Sequence, residues 1–222
     1  MRCGGLALDE YMECRARGTL AFMKGGHNVR TDESHIAWGD KYTSNGCAPA
    51  VLMPHGRLWQ EPEWRKAPKV FVMRRPVERV WSFYNYAARW FAPFRNNSIR
   101  VYLKNPMHLG RHQMWCKLEL FNAMTYQLSS LPRAEHQEWQ LSEAHFQEAL
   151  WTLSAFAFVG NLTSVYAYVR GLSLWPKSSL SSCELPLKKP TKYRWGRLDQ
   201  RTAQLIADAN HWDMKLFEAF GA

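Results

Sequence analysis

One stretch of the sequence decides the fold: residues 70–86 read Val-Phe-Val-Met-Arg-Arg-Pro-Val-Glu-Arg-Val-Trp-Ser-Phe-Tyr-Asn-Tyr. The first four residues, Val70 to Met73, are all apolar, as expected of a buried strand. Pro76 follows at the place where the first turn of a helix would begin, since its fixed φ and missing N–H cost nothing there. The stretch therefore predicts a strand that leads through a short turn into a helix.

The predicted helix after Pro76 is amphipathic, because apolar residues recur in it at helical spacing. These apolar residues are Val77, Val80, Trp81, Tyr84, Ala88 and Phe91. The polar residues expected on or near the opposite side are Glu78, Arg79, Ser82 and Asn85. Arg74 is then at the carboxyl end of the strand, where open α/β sheets bind ligands, and Ser82 is two turns into the helix. A guanidinium and a hydroxyl placed in this way can bind one phosphate, although a solvated charge cluster at an ordinary turn is the alternative interpretation.

Short apolar runs alternate with amphipathic segments along the rest of the chain. Strands are predicted at residues 50–53 and 156–159, and the segment 91–106 is predicted to be irregular. Helices are predicted at about residues 6–17, 109–128, 142–153, 164–174 and 199–220, with Ser142 and Asp199 as N-caps. The alternation indicates an α/β fold with a parallel sheet, and a length of 222 residues with 46% hydrophobic content suits one domain, residues 1–222.

Basic residues outnumber acidic ones by 29 to 19, which leaves a formal net charge of +10. Such a surplus favours a polyanionic partner, whether nucleic acid, an anionic membrane or an acidic polysaccharide. No run approaches the ~20 consecutive apolar residues of a membrane span, and the first residues lack the charged start and apolar run of a signal peptide. The five cysteines form no CxxC pair and have no regular spacing, so neither a zinc site nor a disulfide framework is indicated.

The pattern Arg-x-Pro-x-x-Arg-x-x-Ser-x-Tyr at residues 74–84 resembles a known phosphate-binding motif. It is similar to the 3′-phosphate motif of carbohydrate sulfotransferases that use 3′-phosphoadenosine 5′-phosphosulfate (PAPS), such as heparan sulfate 2-O-sulfotransferase and chondroitin sulfotransferase-like enzymes. The resemblance implies a P-loop-like three-layer sandwich, with a central parallel sheet flanked by helices. It also implies that Arg74 and Ser82 hold the 3′-phosphate, that desulfated PAP is the product, that no metal is needed, and that the protein is a lumenal Golgi membrane protein.

The family's loop for the 5′-phosphosulfate has a counterpart at the amino terminus. By resemblance, the donor-binding residues there are Arg2, Cys3, Gly4, Gly5, Leu6 and Ala7. Gly4 and Gly5 let backbone N–H groups approach an anion, while Arg2 replaces a lysine, and Leu6 and Ala7 replace hydroxyl residues. Only Met1 precedes this loop. We therefore expect the family's first strand, and farther out its membrane anchor, to be encoded upstream.

The acceptor hydroxyl needs a base, and a histidine with a pKa near neutrality suits that task. His55 precedes Arg74 by 19 residues and follows a predicted strand. Because related uronyl 2-O-sulfotransferases carry a catalytic histidine in a similar place, His55 is the predicted base. The alternatives are His27, His35, His108, His112, Glu61 and Glu63. Arg2 is the second predicted catalytic residue, since its charge would stabilise the leaving phosphate.

Three segments of the carboxyl third extend the resemblance. Residues 156–163 resemble the family's Phe-x-Phe-Val-Gly strand and turn, and residues 188–192 resemble its basic loop over the nucleotide, which adds Lys188 and Lys189 to the donor-binding set. Residues 210–217 resemble its terminal Asn-x-x-Asp-x-x-Leu-Tyr helix.

The resulting prediction is transfer of a sulfonate group from PAPS to a carbohydrate hydroxyl, with an acidic polysaccharide or glycan as acceptor. The expected partners are PAPS and that acceptor, with a membrane involved only through an upstream anchor. An inactive protein with the sulfotransferase fold is one alternative, because the donor loop lacks its hydroxyls and lysine. A basic nucleic-acid-binding module with stacking tryptophans is another, although the basic residues are scattered along the chain.

Overall fold

The computed structural model of the chain describes residues 69–105, 119–130, 141–171 and 197–220. The chain divides into two compact units. The described parts of the first are residues 73–105, 119–130, 141–154 and 197–220, and those of the second are residues 69–72 and 155–171. The organisation as one domain over residues 1–222 stays a prediction. The helix predicted at 6–17 and the strand at 50–53 lie outside the described residues.

The described residues are mostly helical and contain a small two-stranded parallel sheet, which is compatible with an α/β fold. The strands are β1 (Val70–Val72) and β2 (Phe158–Gly160). The helices are α1 (Pro76–Trp90), α2 (Ala92–Asn96), α3 (Ile99–Lys104), α4 (Ala123–Leu128), α5 (Glu143–Ser154), α6 (Leu162–Gly171), α7 (Gln200–Ala209) and α8 (His211–Phe220). None of the helices in these ranges is long and apolar enough to cross a membrane.

The described part of the second unit contains the two strands and α6. The strands are parallel, with Val70 opposite Phe158 and Val72 opposite Gly160. Aromatic contacts hold α6 against the sheet, since the Phe158 ring stacks on that of Tyr168 with 4.6 Å between centroids. The strand predicted at 70–73 is confirmed, whereas the second strand begins at Phe158, two residues later than predicted, and includes Gly160.

The core of the first unit forms around α1, whose predicted position after Pro76 is confirmed. Its buried members are Val80, Phe83, Tyr84, Ala87, Ala88, Phe94, Ile99, Tyr102, Leu120 and Ile206. The prediction of an irregular segment at 91–106 is wrong, because α2 and α3 lie there. Burial of Phe94 and Tyr102 explains the difference, and the Tyr102 hydroxyl also donates to the Pro93 carbonyl at 2.5 Å. Tertiary packing thus fixes two helices that are too short to be stable alone.

The helix predicted over 109–128 is interrupted at Asn122, which has a φ of 46° in the left-handed region. Asparagine tolerates this region better than most residues, and long-range hydrogen bonds hold it there. Its backbone N–H donates to Asn210 Oδ1 at 2.8 Å, and its Oδ1 accepts from the Trp212 N–H at 3.0 Å. The continuous helix is therefore wrong in the described part, since α4 starts only at Ala123.

Two further helices, α5 and α7, begin where the sequence predicts. Asp199 is the N-cap of α7, and its Oδ1 accepts from the Thr202 N–H at 2.9 Å, which confirms that prediction. The helix predicted from Ser142 is also present as α5, and the Ser142 hydroxyl lies 2.9 Å from Nδ1 of His145.

Candidate donor-binding site

The start of α1 concentrates positive charge. Arg75 is the N-cap residue and supplies no side-chain hydrogen bond to the helix, and Arg74 comes directly before it. The first turn of a helix presents N–H groups without carbonyl partners and the positive end of the helix dipole, so acidic groups are normally preferred there. Two arginines before this turn add to its positive charge, and Glu78 is the acidic residue in the turn. The segment is therefore suited to an anion.

The Arg74 side chain is available to a ligand. Its Nε lies 3.5 Å from Oε2 of Glu78, and the two side chains are 38% and 58% exposed. An exposed ion pair of this kind contributes only ~0–1 kcal/mol, so a phosphate could compete for the guanidinium. The terminal nitrogens of Arg74 make no hydrogen bond to any residue that the structure describes.

Ser82 lies one turn beyond Glu78 on the same helix. Residues four apart on a helix are surface neighbours with ~5–6 Å between their β-carbons. Ser82 is partly exposed, and its hydroxyl forms no hydrogen bond within the described ranges. Ser82 is therefore one turn beyond Glu78, which pairs with Arg74.

Arg79, which we predicted on or near the polar side, is buried and only 3% exposed. Its Nη1 donates to the Glu119 carbonyl at 2.8 Å and to the Glu119 carboxylate at 3.2 Å. Its Nη2 lies 3.3 Å from both Asn210 Oδ1 and Asp213 Oδ2. Asn85 is likewise buried, and its amide donates to the Trp81 carbonyl. The prediction is wrong for both residues, because helical periodicity cannot distinguish a solvated polar side chain from one paired inside the core.

Asp213 is the second carboxylate paired with Arg79, at 3.3 Å, and is fully buried. Its carboxylate also accepts from the Met124 N–H at 3.1 Å and from the N–H and hydroxyl of Thr125 at 2.8 and 2.9 Å. Burial raises the pKa of the Asp213 carboxyl, while the Arg79 charge and the hydrogen bonds from Thr125 and Met124 oppose that rise. We refer to Arg79, Glu119, Asn122, Asn210 and Asp213 as the Arg79 cluster.

The Arg79 cluster fixes α1 to the carboxyl-terminal helices. Besides its contact with Arg79, Asn210 donates through Nδ2 to the carbonyls of Leu120 and Ile206 at 2.8 and 2.9 Å. The contact between Arg79 and Asn210 thus joins two motifs inside the core that are 131 residues apart. One motif is at the start of α1, and the other is between α7 and α8. The sequence signal for this contact is the Asn-x-x-Asp pattern at 210–213, which the resemblance singled out without pairing it to Arg79.

Of the predicted site residues, the structure describes Arg74 and Ser82, and it places both on the first unit. The others lie outside the described residues: Arg2, Cys3, Gly4, Gly5, Leu6, Ala7, His55, Lys188 and Lys189. In the part of the chain that is described, no three His, Cys, Asp or Glu side chains gather as a metal site would require.

No protein-family model, curated protein or solved structure matches the chain. The donor-site assignment therefore depends on the residues of α1 themselves and on the motif that they resemble.

Proposed function

We propose that this protein transfers a sulfonate group from PAPS to a carbohydrate hydroxyl, with Arg74 and Ser82 holding the 3′-phosphate of the donor. The observation that supports this most is that the five motif residues at 74–84 fall into a buried group and a partly exposed group. Pro76, Arg79 and Tyr84 are buried, while Arg74 and Ser82 are partly exposed and keep polar atoms without partners among the described residues.

Each buried motif residue has a structural task. Pro76 begins α1, Arg79 anchors the helix through the Arg79 cluster, and the Tyr84 hydroxyl donates to the Asn97 carbonyl next to α2. These contacts hold α1 in place, so Ser82 belongs to a fixed helix and Arg74 lies directly before its N-cap residue. The guanidinium and the positive end of the helix dipole can then both attract a phosphate.

The proposed reaction needs two further functions from the chain. An acceptor oxygen forms a bond to sulfur as the bond between sulfur and the bridging phosphate oxygen breaks, and PAP leaves with the electron pair. His55 would take the acceptor proton, and Arg2 with Lys188 and Lys189 would stabilise the charge that builds on the leaving phosphate. The fold that belongs with this proposal is the three-layer sandwich with a P-loop-like amino-terminal loop at residues 2–7.

Isothermal titration calorimetry with PAP tests the proposal. The wild-type chain should bind PAP, and Arg74→Ala should weaken binding by about 10- to 150-fold, which corresponds to the ~1.5–3 kcal/mol of a charged hydrogen bond. Ser82→Ala should weaken it by less, because the hydroxyl is neutral. Arg95→Ala removes an exposed arginine from α2 and serves as the matched control. Equal PAP affinity in wild type and Arg74→Ala would refute the assignment, whereas PAP binding without sulfonate transfer would favour the inactive-fold alternative.

A further inference from the structure

A small cavity lies on the first unit between α1, α3 and the start of α7, and neither Arg74 nor Ser82 lines it. Its volume is about 200 Å³. At ~30 Å³ for each water molecule, this is the space of about seven waters, or of one small ring. The side chains that line it include Trp81, Tyr84, Ser98, Arg100, Asp199 and Thr202.

Arg100 is held in place on the wall of the cavity. Its Nε donates to Thr202 Oγ1 at 2.8 Å, and its Nη2 donates to Asp199 Oδ1 at 2.7 Å. The third nitrogen, Nη1, has no hydrogen-bond partner within the ranges that the structure describes. A guanidinium already fixed on one side loses little conformational freedom when its free edge binds an anion. Arg100 is therefore a preorganised donor.

Ser98 adds a second free polar group. It is the N-cap residue of α3, a position at which a serine hydroxyl commonly accepts from the helix, yet its side chain makes no capping bond. The hydroxyl also has no other partner in the described part of the chain. It can therefore donate to a ligand in the cavity without loss of any bond that stabilises the protein.

Trp81 supplies a flat apolar wall. Its ring stacks on that of Tyr84 with 5.7 Å between centroids and 25° between planes, which fixes its orientation. Three exposed basic residues lie close in sequence to the polar wall: Lys104, Arg197 and Arg201. None of them has an ion-pair partner among the described residues. Their charge favours an anionic ligand over a neutral or cationic one.

We propose that this cavity binds a six-membered ring that carries a carboxylate. The ring face lies against Trp81, and the carboxylate accepts from Arg100 Nη1 and the Ser98 hydroxyl. Two classes of compound carry a carboxylate on a six-membered ring, namely acidic sugars such as a hexuronate and aromatic acids. The site is separate from the proposed donor site, and it can exist whether or not the chain transfers sulfonate.

Nuclear magnetic resonance of the full chain with isotope-labelled tryptophan tests this proposal. The indole signal of Trp81 is assigned by its loss in Trp81→Phe and is then followed during titration with glucuronate, benzoate and glucose. A shift with glucuronate but not with glucose identifies an acidic sugar, and a shift with benzoate alone identifies an aromatic acid. No shift with either acid, or equal affinity for glucose and glucuronate, overturns the proposal.

Two cavity variants and one control assign the contacts. Arg100→Met should weaken binding of the responding acid at least ~10-fold, as expected for loss of a charged hydrogen bond. Because Arg100→Met also removes bonds to Asp199 and Thr202, Ser98→Ala is the second variant, and it should weaken binding several-fold with unchanged thermal stability. Arg95→Met removes the same charge from α2, away from the lining of the cavity, and should bind like wild type. Wild-type affinity in both cavity variants refutes the site, and PAP affinity measured in parallel reports separately on the donor site.

Discussion

Replacement of Asp213 by alanine should destabilise the protein more than any exposed substitution. Asp213 accepts hydrogen bonds from the Arg79 guanidinium, from the backbone of Met124 and from both the backbone and the hydroxyl of Thr125. The two backbone donors belong to the first turn of α4, so the carboxylate also caps that helix from a distance. Asp213→Ala removes all of these contacts at once.

The magnitude follows from burial. Arg79 is 3% exposed and Asp213 is not exposed at all, so water cannot replace the lost carboxylate. Removal of one partner from a buried ion pair costs ~3–5 kcal/mol, because the other charge stays desolvated. Since Arg79 keeps the Glu119 carboxylate at 3.2 Å, we expect a value near the lower end of this range. Against a total stability of ~5–15 kcal/mol for a typical domain, this is a large fraction.

Chemical denaturation followed by circular dichroism measures the effect. Asp208→Ala is the matched control, since this aspartate is exposed and Gln204 is its hydrogen-bond partner among the described residues. It should change stability by less than ~0.5 kcal/mol. If Asp213→Ala does not fold, Asp213→Asn provides the second test, because its side-chain oxygen can still accept from the Thr125 N–H while the ion pair with Arg79 is lost, and it should be more stable than Asp213→Ala. A cost below ~1 kcal/mol for Asp213→Ala, or an Asp213→Asn variant no more stable than Asp213→Ala, would refute the reasoning.

Three further predictions concern the first unit. Hydrogen bonds from Thr202 hold the pKa of the Asp199 carboxyl below its ordinary value. Its capping contribution is therefore fully present above the ordinary, unfolded-state pKa and is lost as the pH falls through the lower, folded-state pKa. The difference in melting temperature between wild type and Asp199→Ala should therefore be clear at neutral pH and shrink in acid. Tyr84→Phe should lower the free energy of unfolding by ~0.5–1.5 kcal/mol, because it removes the hydrogen bond to the Asn97 carbonyl. Burial raises the pKa of Tyr84, so an alkaline absorbance titration should ionise the exposed tyrosines before this one. Asn122→Ala should lower the melting temperature more than Asn122→Gly, since alanine loses the same side-chain bonds and also tolerates the left-handed φ poorly.

The elements with local signals could be predicted from the sequence. Four apolar residues followed by Pro76 indicated β1 and the start of α1, and Asp199 before an amphipathic run indicated α7. The signal in each case is contained within a few consecutive residues. Local patterns of this kind reflect backbone preferences and periodic burial directly.

The remaining features depend on contacts between distant residues. Arg79 was predicted on or near the polar side because the apolar residues of α1 recur at helical spacing, yet its partners Glu119 and Asp213 are 40 and 134 residues away. The break at Asn122 depends in the same way on Asn210. Paired buried charges carry no periodic signal, so the spacing of residues within each segment could not indicate that the two segments meet.

The most direct test of the donor assignment is a cycle of two ligands and two proteins. PAP and adenosine 5′-monophosphate differ by the 3′-phosphate alone, and wild type and Arg74→Ala differ by the guanidinium proposed to bind it. Calorimetric affinities should show that wild type prefers PAP by about 10-fold or more and that Arg74→Ala loses this preference while its affinity for adenosine 5′-monophosphate is unchanged. A preference for PAP that persists in Arg74→Ala, or a wild-type chain that does not distinguish the two nucleotides, would contradict the account.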